Sequence, residues 1–296
     1  MWPRILLLAS TASLACSAPT SALVELASGQ SPSSLVTDGT NVYWTNHTGE
    51  VEECDVAGCD ERPTRLATAG APAGIAVTES DVYFTDVAAG AVSKTPIAGG
   101  EVTRIGSSND AWGIAVAGGR VFWTTNATRG PVMTCPRAGC AGAPASLAGG
   151  DASYAIATDA TDVYWSDWNA VWTCPLEGCS GEPTPLAAVA GHVALAVDDS
   201  NVYWAYPDEG VVLACAKRGC KEPTVLATMQ SGASAVASDG RNIYWVTSNA
   251  VMRCATTGCA EQPTVLASLD QPGGTIAVDA ANVYFSTGDR IMRLAK

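Results

Sequence analysis

From Leu23 to Lys296 the chain alternates short apolar runs with turns rich in Gly, Asp, Asn and Pro. One stretch reads Gly74-Ile75-Ala76-Val77, then Asp81-Val82-Tyr83-Phe84-Thr85, then Ala91-Val92-Ser93-Lys94, then Val102-Thr103-Arg104-Ile105. Runs this short, rich in β-branched and aromatic residues and bounded by turn residues, predict strands. The second run recurs as Asn41-Val42-Tyr43-Trp44, Arg120-Val121-Phe122-Trp123, Asp162-Val163-Tyr164-Trp165, Asn201-Val202-Tyr203-Trp204, Asn242-Ile243-Tyr244-Trp245 and Asn282-Val283-Tyr284-Phe285. From Val42 to Val283 the steps are 40, 39, 42, 39, 41 and 40 residues. A period near forty, built from four short strands, predicts an all-β propeller with one blade per repeat.

Side-chain size fits a radial wedge. The innermost strand, a, carries Ala76, Ala115, Ala157, Ala196, Ala237 and Ala277, with Val36 as the exception. Strand b carries the Tyr, Trp and Phe that fill the wider gap between blades, so these aromatics are expected to be core. Pro63, Pro144, Pro183, Pro223 and Pro263 open strand d, the outer edge, where a missing N–H is tolerated. The last repeat ends after strand c, while Leu23–Ala27 resembles a strand d with no blade of its own. Pairing the two closes the ring. The expectation is seven four-stranded antiparallel blades over residues 22–296, sealed by the N-terminal strand.

The 296 residues carry a net charge of −13. So few cations argue against nucleic acid or an anionic membrane surface as partner. The repeats leave no room for a separate catalytic domain, and no recognisable catalytic or phosphate-binding motif is present. Residues 1–16 read as an export signal: Arg4, an apolar stretch from Ile5, and Ser13-Leu14-Ala15-Cys16, which resembles a bacterial lipobox with Cys16 as the lipidated residue. The other reading is an ordinary secretory signal cut near Ala18. Residues 17–21 then form a tether. The expected product is an exported monomer, in the periplasm, outside the cell or on an outer membrane, touching lipid only through its anchor.

Ten cysteines form five Cys-x-x-x-Gly-Cys turns between strands c and d: Cys54/Cys59, Cys135/Cys140, Cys174/Cys179, Cys215/Cys220 and Cys254/Cys259. Flanking positions of a short hairpin face each other, so each pair is expected to be a disulfide. In the second repeat Thr95 and Gly100 replace both members together. Export supplies the oxidising compartment. Zinc would need about four ligands, and each turn offers two.

Tyr43-Trp44-Thr45-Asn46, Tyr83-Phe84-Thr85-Asp86 and Tyr164-Trp165-Ser166-Asp167 resemble the YWTD repeat of LDL-receptor-type propellers. Ile276-Ala277-Val278-Asp279 strengthens the resemblance. That family has six blades, and the motif Asp is here kept only at Asp86 and Asp167. The resemblance implies a protein-binding or structural propeller.

Propellers bind ligands on the face made by the d–a and b–c loops. On that face Trp112 and Tyr154 are bulky where other repeats have Ala73, Ser234 and Gly274. With Asp110, Asp151 and His192 they are the candidate ligand-binding set, for a protein or carbohydrate ligand. Asn109, Asp86, Asp167, Trp168, Asp208 and Glu209 share the face. The rival reading is a calcium-dependent lactonase or hydrolase of gluconolactonase type, with no residue-by-residue match to its ligand set; calcium needs six to eight oxygens, and Asp110, Asp151 and Asp86 would converge on one only by accident of loop shape. No cofactor is otherwise expected. The Asp38-Gly39 and Asp239-Gly240 turns look like calcium loops, but Asp-Gly is ordinary hairpin chemistry.

Overall fold

A computed structural model describes residues 23–127, 130–150, 153–189 and 191–296. The export signal, Cys16, the tether and Asp151 lie outside the described residues. Strands are the only regular elements among the described residues, arranged as seven four-stranded antiparallel sheets joined by turns. Blade one comprises Pro32–Thr37, Asn41–Asn46, Glu50–Asp55 and Thr64–Thr68. Blades two to six repeat that order, with strands a beginning at Pro72, Ala111, Ile156, Ala194 and Ala235. Strand d starts one residue after its proline in five blades, at Thr64, Ala145, Thr184, Thr224 and Thr264.

Blade seven takes three strands from the C-terminus and its fourth from the N-terminus. Leu23 lies opposite Leu294, Glu25 opposite Met292 and Ala27 opposite Ile291. Leu26 is buried, and Val24 packs beside it against Leu35, Val42 and Trp44 of blade one. Leu23 stays exposed. The closure that the orphan strand predicts is therefore present, with Val24 and Leu26 as its buried anchors.

The core is distributed over the seams. Seven apolar clusters each join two neighbouring blades. Alternation along strand b explains this, because successive side chains point to opposite faces of a blade. Tyr83 packs toward blade three with Ile114 and Trp123, while Phe84 packs toward blade one with Tyr43 and Leu66. The alanines predicted to ring the axis sit opposite the strand-b aromatics: Ala76 faces Tyr83, Ala196 faces Tyr203 and Ala277 faces Tyr284. Their small size seats the ring. The side chains that line the central channel come from the preceding position, such as Ile75, Ile114 and Ile276.

The five disulfides join the expected pairs: Cys54 to Cys59, Cys135 to Cys140, Cys174 to Cys179, Cys215 to Cys220 and Cys254 to Cys259. Their Cα atoms lie 5.2–5.5 Å apart, inside the range such a bond spans. The glycine of each turn has positive φ, from 90° at Gly219 to 126° at Gly58, which is why the turn needs Gly there. Each bridge closes its own blade covalently, but its two halves differ in setting, which the sequence pattern did not indicate. The first cysteine, on strand c, is buried; the second, Cys59, Cys140, Cys179, Cys220 or Cys259, is half-buried. That second cysteine rests on strand d of the preceding blade. Cys59 Sγ lies 3.4 Å from the Leu26 carbonyl oxygen and Cys259 Sγ 3.4 Å from that of Leu226. Cys220 packs beside Leu186 and Cys179 beside Leu147, while the Cys140 N–H donates to the Ile105 carbonyl at 2.9 Å. A turn that must hold a hairpin and also seat on its neighbour explains the half-buried position. Where the last blade has no such turn, Leu294 pairs with Val283 as Cys254 pairs with Ile243.

Candidate functional site

The residues at the channel mouth are set by the third position of the strand-b motif. The Thr45 hydroxyl donates to the carbonyl of Ala73 at 2.7 Å, Thr85 to Trp112 at 2.7 Å, Thr124 to Tyr154 at 2.8 Å and Ser166 to Val193 at 3.1 Å. Each bond crosses a seam. The same oxygen accepts an N–H from its own strand a, from Gly74 to Thr85 and from Gly113 to Thr124, both at 2.9 Å. Neither glycine tolerates a side chain. A Cβ on Gly74 would lie 2.5 Å from the Trp112 carbonyl oxygen, and one on Gly113 would lie 2.8 Å from that of Tyr154.

Trp112 and Tyr154 form one wall of a cavity of about 560 Å³ at the mouth. Their rings stack, with centroids 5.7 Å apart and planes inclined by 30°. Tyr154 meets His192 edge-on at 4.5 Å, and His192 meets Trp168 edge-on at 4.4 Å. The four rings run as a ladder from the cavity wall across the rim of blades three, four and five. Trp168, at its outer end, is 49% exposed. Tyr154 and His192 precede the short strands Ile156–Thr158 and Ala194–Val197, while Trp112 lies within the seven-residue strand Ala111–Ala117. Burial among the rings holds the His192 imidazole below its ordinary pKa, which favours the neutral form.

The opposite wall belongs to blades one, six and seven and is small and polar. It includes Ser33, Ser34, His47, Ser234, Gly274 and Thr275. The Ser33 hydroxyl lies 3.0 Å from His47 Nδ1. The floor is apolar, with Leu35, Ile75, Ile114, Ile156, Leu195, Val236 and Ile276 supplying one residue per blade. Among the described lining residues there is no Asp, Glu, Lys or Arg.

The described acidic candidates separate from the rings. Asp110 is exposed on the turn before Trp112, in a left-handed conformation with φ 57°, and does not line the cavity. Asp208 and Glu209 are exposed on the b–c turn of blade five. Asp86 and Asp167 are buried and occupied by backbone. Asp86 accepts from the N–H groups of Gly70, Ala71 and Ala89, and Asp167 from those of Asn169 and Ala170. Desolvation pushes the Asp86 carboxyl up, and these backbone bonds together outweigh it and hold the group below its ordinary pKa. Asn46, at the motif position of Asp86 and Asp167, is buried and donates to Gln30 and Glu52. Asp38 and Asp239, in the loops that look like calcium sites, each cap their own turn and accept the hydroxyl of Tyr43 or Tyr244 at 2.9 Å. Among the described residues no three His, Cys, Asp or Glu side chains come together as a metal site. A calcium ion, which takes six to eight oxygens, does not fit a lining that offers it no described carboxylate.

None of the ten bridged cysteines belongs to the mouth. The c–d turns that carry Cys59, Cys140, Cys179, Cys220 and Cys259 sit with the a–b turns at the other end of the strands, and no sulfur lines the cavity. All ten are tied up as disulfides, so they are structural positions and supply no thiolate to a metal.

His47 as a wall residue is the feature that sequence reasoning missed. The available signal is its position, since His47, Val87 and Trp168 each follow the fourth residue of the strand-b motif and thus open a b–c loop.

A closed ring of seven four-stranded antiparallel blades defines the chain as a seven-bladed β-propeller. No protein-family model matches it, and no curated protein matches it. Among solved structures it is similar to a streptogramin B lyase, with TM-score 0.75 and 15% identity over 92% of this chain and 97% of that one. It is similar to a catalytically inactive histidine-to-alanine variant of virginiamycin B lyase from Staphylococcus aureus with quinupristin, with TM-score 0.73 and 13% identity over 93% and 99%. It is also similar to a chain of the nidogen/laminin complex, with TM-score 0.60 and 19% identity over 77% and 94%. At these identities the likeness is one of fold.

Proposed function

We propose that the protein is an exported binding module whose ligand sits at the channel mouth. The observation that carries this is the ladder Trp112–Tyr154–His192–Trp168, which begins on the wall of a cavity of ligand size. None of the four rings belongs to the apolar clusters of the seams, where the strand-b rings pack. Asp110, exposed on the turn before Trp112 and outside the cavity lining, is not needed for this reading, and Asp151 lies outside the described residues.

Five disulfides support an oxidising compartment. The chain enters the ring at Leu23, opposite Leu294 and therefore on the disulfide face. A lipid on Cys16 would then hold that face toward the membrane and leave the aromatic mouth pointing away. Radiolabelled palmitate should be incorporated in a Gram-negative host and lost in Cys16→Ser. Labelling that survives the substitution removes the anchor from this reading.

Binding itself is tested on glycan and peptide arrays with the wild type and Trp112→Ala. Spots that depend on Trp112 support the mouth as the site. Spots retained at full strength in the variant place binding elsewhere.

A second reading, a hydrolase, is favoured by one observation, the Ser33–His47 hydrogen bond on the cavity wall. A hydroxyl beside an imidazole is the minimal nucleophile and base. Turnover of lactone or ester substrates that disappears in Ser33→Ala would support it, and turnover that survives the substitution would remove it.

A further inference from the structure

We propose that the mouth selects uncharged ligands carrying a planar aromatic ring, in preference to glycans and to charged molecules. The proposal rests on the binding reading above and adds the ligand class. It comes from the chemistry of the three surfaces of the cavity taken together.

The floor is a closed apolar ring, with Ile75, Ile114 and Ile276 among its members. The wall of Trp112 and Tyr154 presents stacked rings inclined by 30°, the geometry in which a third flat ring can add to the stack. The facing wall offers hydroxyls and one imidazole, Ser33 and His47 at 3.0 Å from each other. Such a pair can donate and accept one or two hydrogen bonds. The described lining has no charged side chain to compensate an ionic group, and an unpaired charge is disfavoured in such a pocket. A glycan presents many hydroxyls, each of which would need a partner on entering. The floor gives none; the buried acids on this face, Asp86 and Asp167, are taken up by backbone N–H groups, and the exposed ones, Asp110, Asp208 and Glu209, lie outside the lining. His192 does not supply the missing cation, because burial favours its neutral form. The ligand that satisfies all three surfaces has one aromatic face, an apolar body and a single neutral polar group, such as an amide or a carbonyl. At about 560 Å³ the cavity holds a small molecule or the aromatic end of a short peptide.

The test uses matched aromatic fragments, each as the primary amide and as the carboxylate. N-acetyl-tryptophanamide and N-acetyl-tryptophan are one pair. A neutral trisaccharide is run beside them. Affinity is measured by calorimetry at neutral pH on the intact mature protein. Expected are amides that bind at least tenfold more tightly than their acids, and a trisaccharide that gives no heat. Trp112→Ala should weaken the amides at least fivefold, and Trp112→Phe, which keeps a ring, should restore most of the loss. Both variants are first shown to melt like the wild type, and if Trp112→Ala does not fold, Trp112→Phe against Trp112→Leu makes the same comparison. Acids that match or exceed their amides overturn the proposal. A trisaccharide that binds in a Trp112-dependent way, with silent amides, overturns the ligand class and leaves the binding reading standing. If every fragment and the trisaccharide are silent, or all bind independently of Trp112, the mouth is not the site and both readings fall.

Discussion

The Thr85 hydroxyl donates to the main-chain carbonyl of Trp112 across the seam between blades two and three, at 2.7 Å. The same oxygen receives the Gly74 N–H at 2.9 Å. One buried hydroxyl thus satisfies two backbone groups and fixes the first ring of the ladder. The threonine of a strand-b motif in one blade positions the mouth residue of the next.

Replacing Thr85 with Val keeps the shape and removes both bonds. It leaves the part-buried Trp112 carbonyl and Gly74 N–H without this partner, which costs about 1–3 kcal/mol. Urea denaturation should show an unfolding free energy lower by that amount, read as a lower midpoint at unchanged slope. Thr85→Ser should recover most of it, since Ser166 already makes the equivalent bond to Val193.

Ring closure gives a prediction about the whole molecule. Leu23–Ala27 pairs with a strand at the other end of the chain, and none of the disulfides crosses that seam. The entropy of closing so long a loop grows only logarithmically. Removing residues 23–27 opens an edge and exposes the cluster around Leu35, Val42 and Ile291. It also takes away the Leu26 carbonyl against which Cys59 rests. The truncated ring should lose cooperative unfolding or melt far below the full chain, and Leu23→Cys with Leu294→Cys should cross-link the ends on oxidation, visible by mass after proteolysis. A truncated protein that melts like the intact one contradicts the closure.

The tyrosines of the seams predict an alkaline limit. Burial and the neighbouring Asp239 carboxylate push the Tyr244 phenol up to about 12. A phenol raised in the folded state is stabilising while it stays protonated. In the unfolded chain it ionises near pH 10, so above that pH the unfolded chain gives up its proton first and stability falls until the folded phenol also ionises. Tyr43, Tyr164, Tyr203 and Tyr284 shift in the same direction, with burial as the main cause. Phenolate absorbance should lag in the native protein, and unfolding should steepen above about pH 10. Tyr244→Phe should reduce that slope.

His192 predicts a smaller effect on the acid side. Its imidazole is held below the ordinary value near 6.5 by burial. The unfolded chain therefore takes up the proton first on acidification. Stability is unaffected above about pH 6.5 and is lost as pH falls below it, down to the folded value. His192→Gln should lose less stability than the wild type between pH 7 and pH 5, measured by thermal melts.

The fold was legible because the repeat is. Forty-residue steps, the strand-b rings, the paired cysteines and the unmatched strand at Leu23 each encode one structural necessity, and they agree. The cysteine spacing gave the bridges but not their second contact. That Cys59, Cys140, Cys179, Cys220 and Cys259 lean on the preceding blade depends on how the blades are rotated about the axis, which a local spacing does not carry. The mouth was legible in part. Trp112 and Tyr154 stand out as large residues in positions that are small elsewhere, and with His192 they are the first three rungs of the ladder. Asp110 did not join them, because sequence proximity to Trp112 says nothing of direction, and a left-handed turn intervenes. His47 was hidden because most of the residues it shares the cavity with lie on other blades, where only the closed ring brings them together. The role of Thr85 was also hidden, since a hydroxyl in a strand looks the same whether it pairs locally or across a seam.

The chain contains two histidines, and they occupy different parts of the proposed site. His47 lines the polar wall, and His192 stands between Tyr154 and Trp168. A spectrum of protein labelled only in its histidine rings therefore reports on the mouth directly. On titration with N-acetyl-tryptophanamide, the His192 signal should move with saturation at the affinity found by calorimetry, as a new ring enters the stack, and the His47 signal should move with it. Binding heat that saturates while both imidazole signals stay fixed would contradict the account.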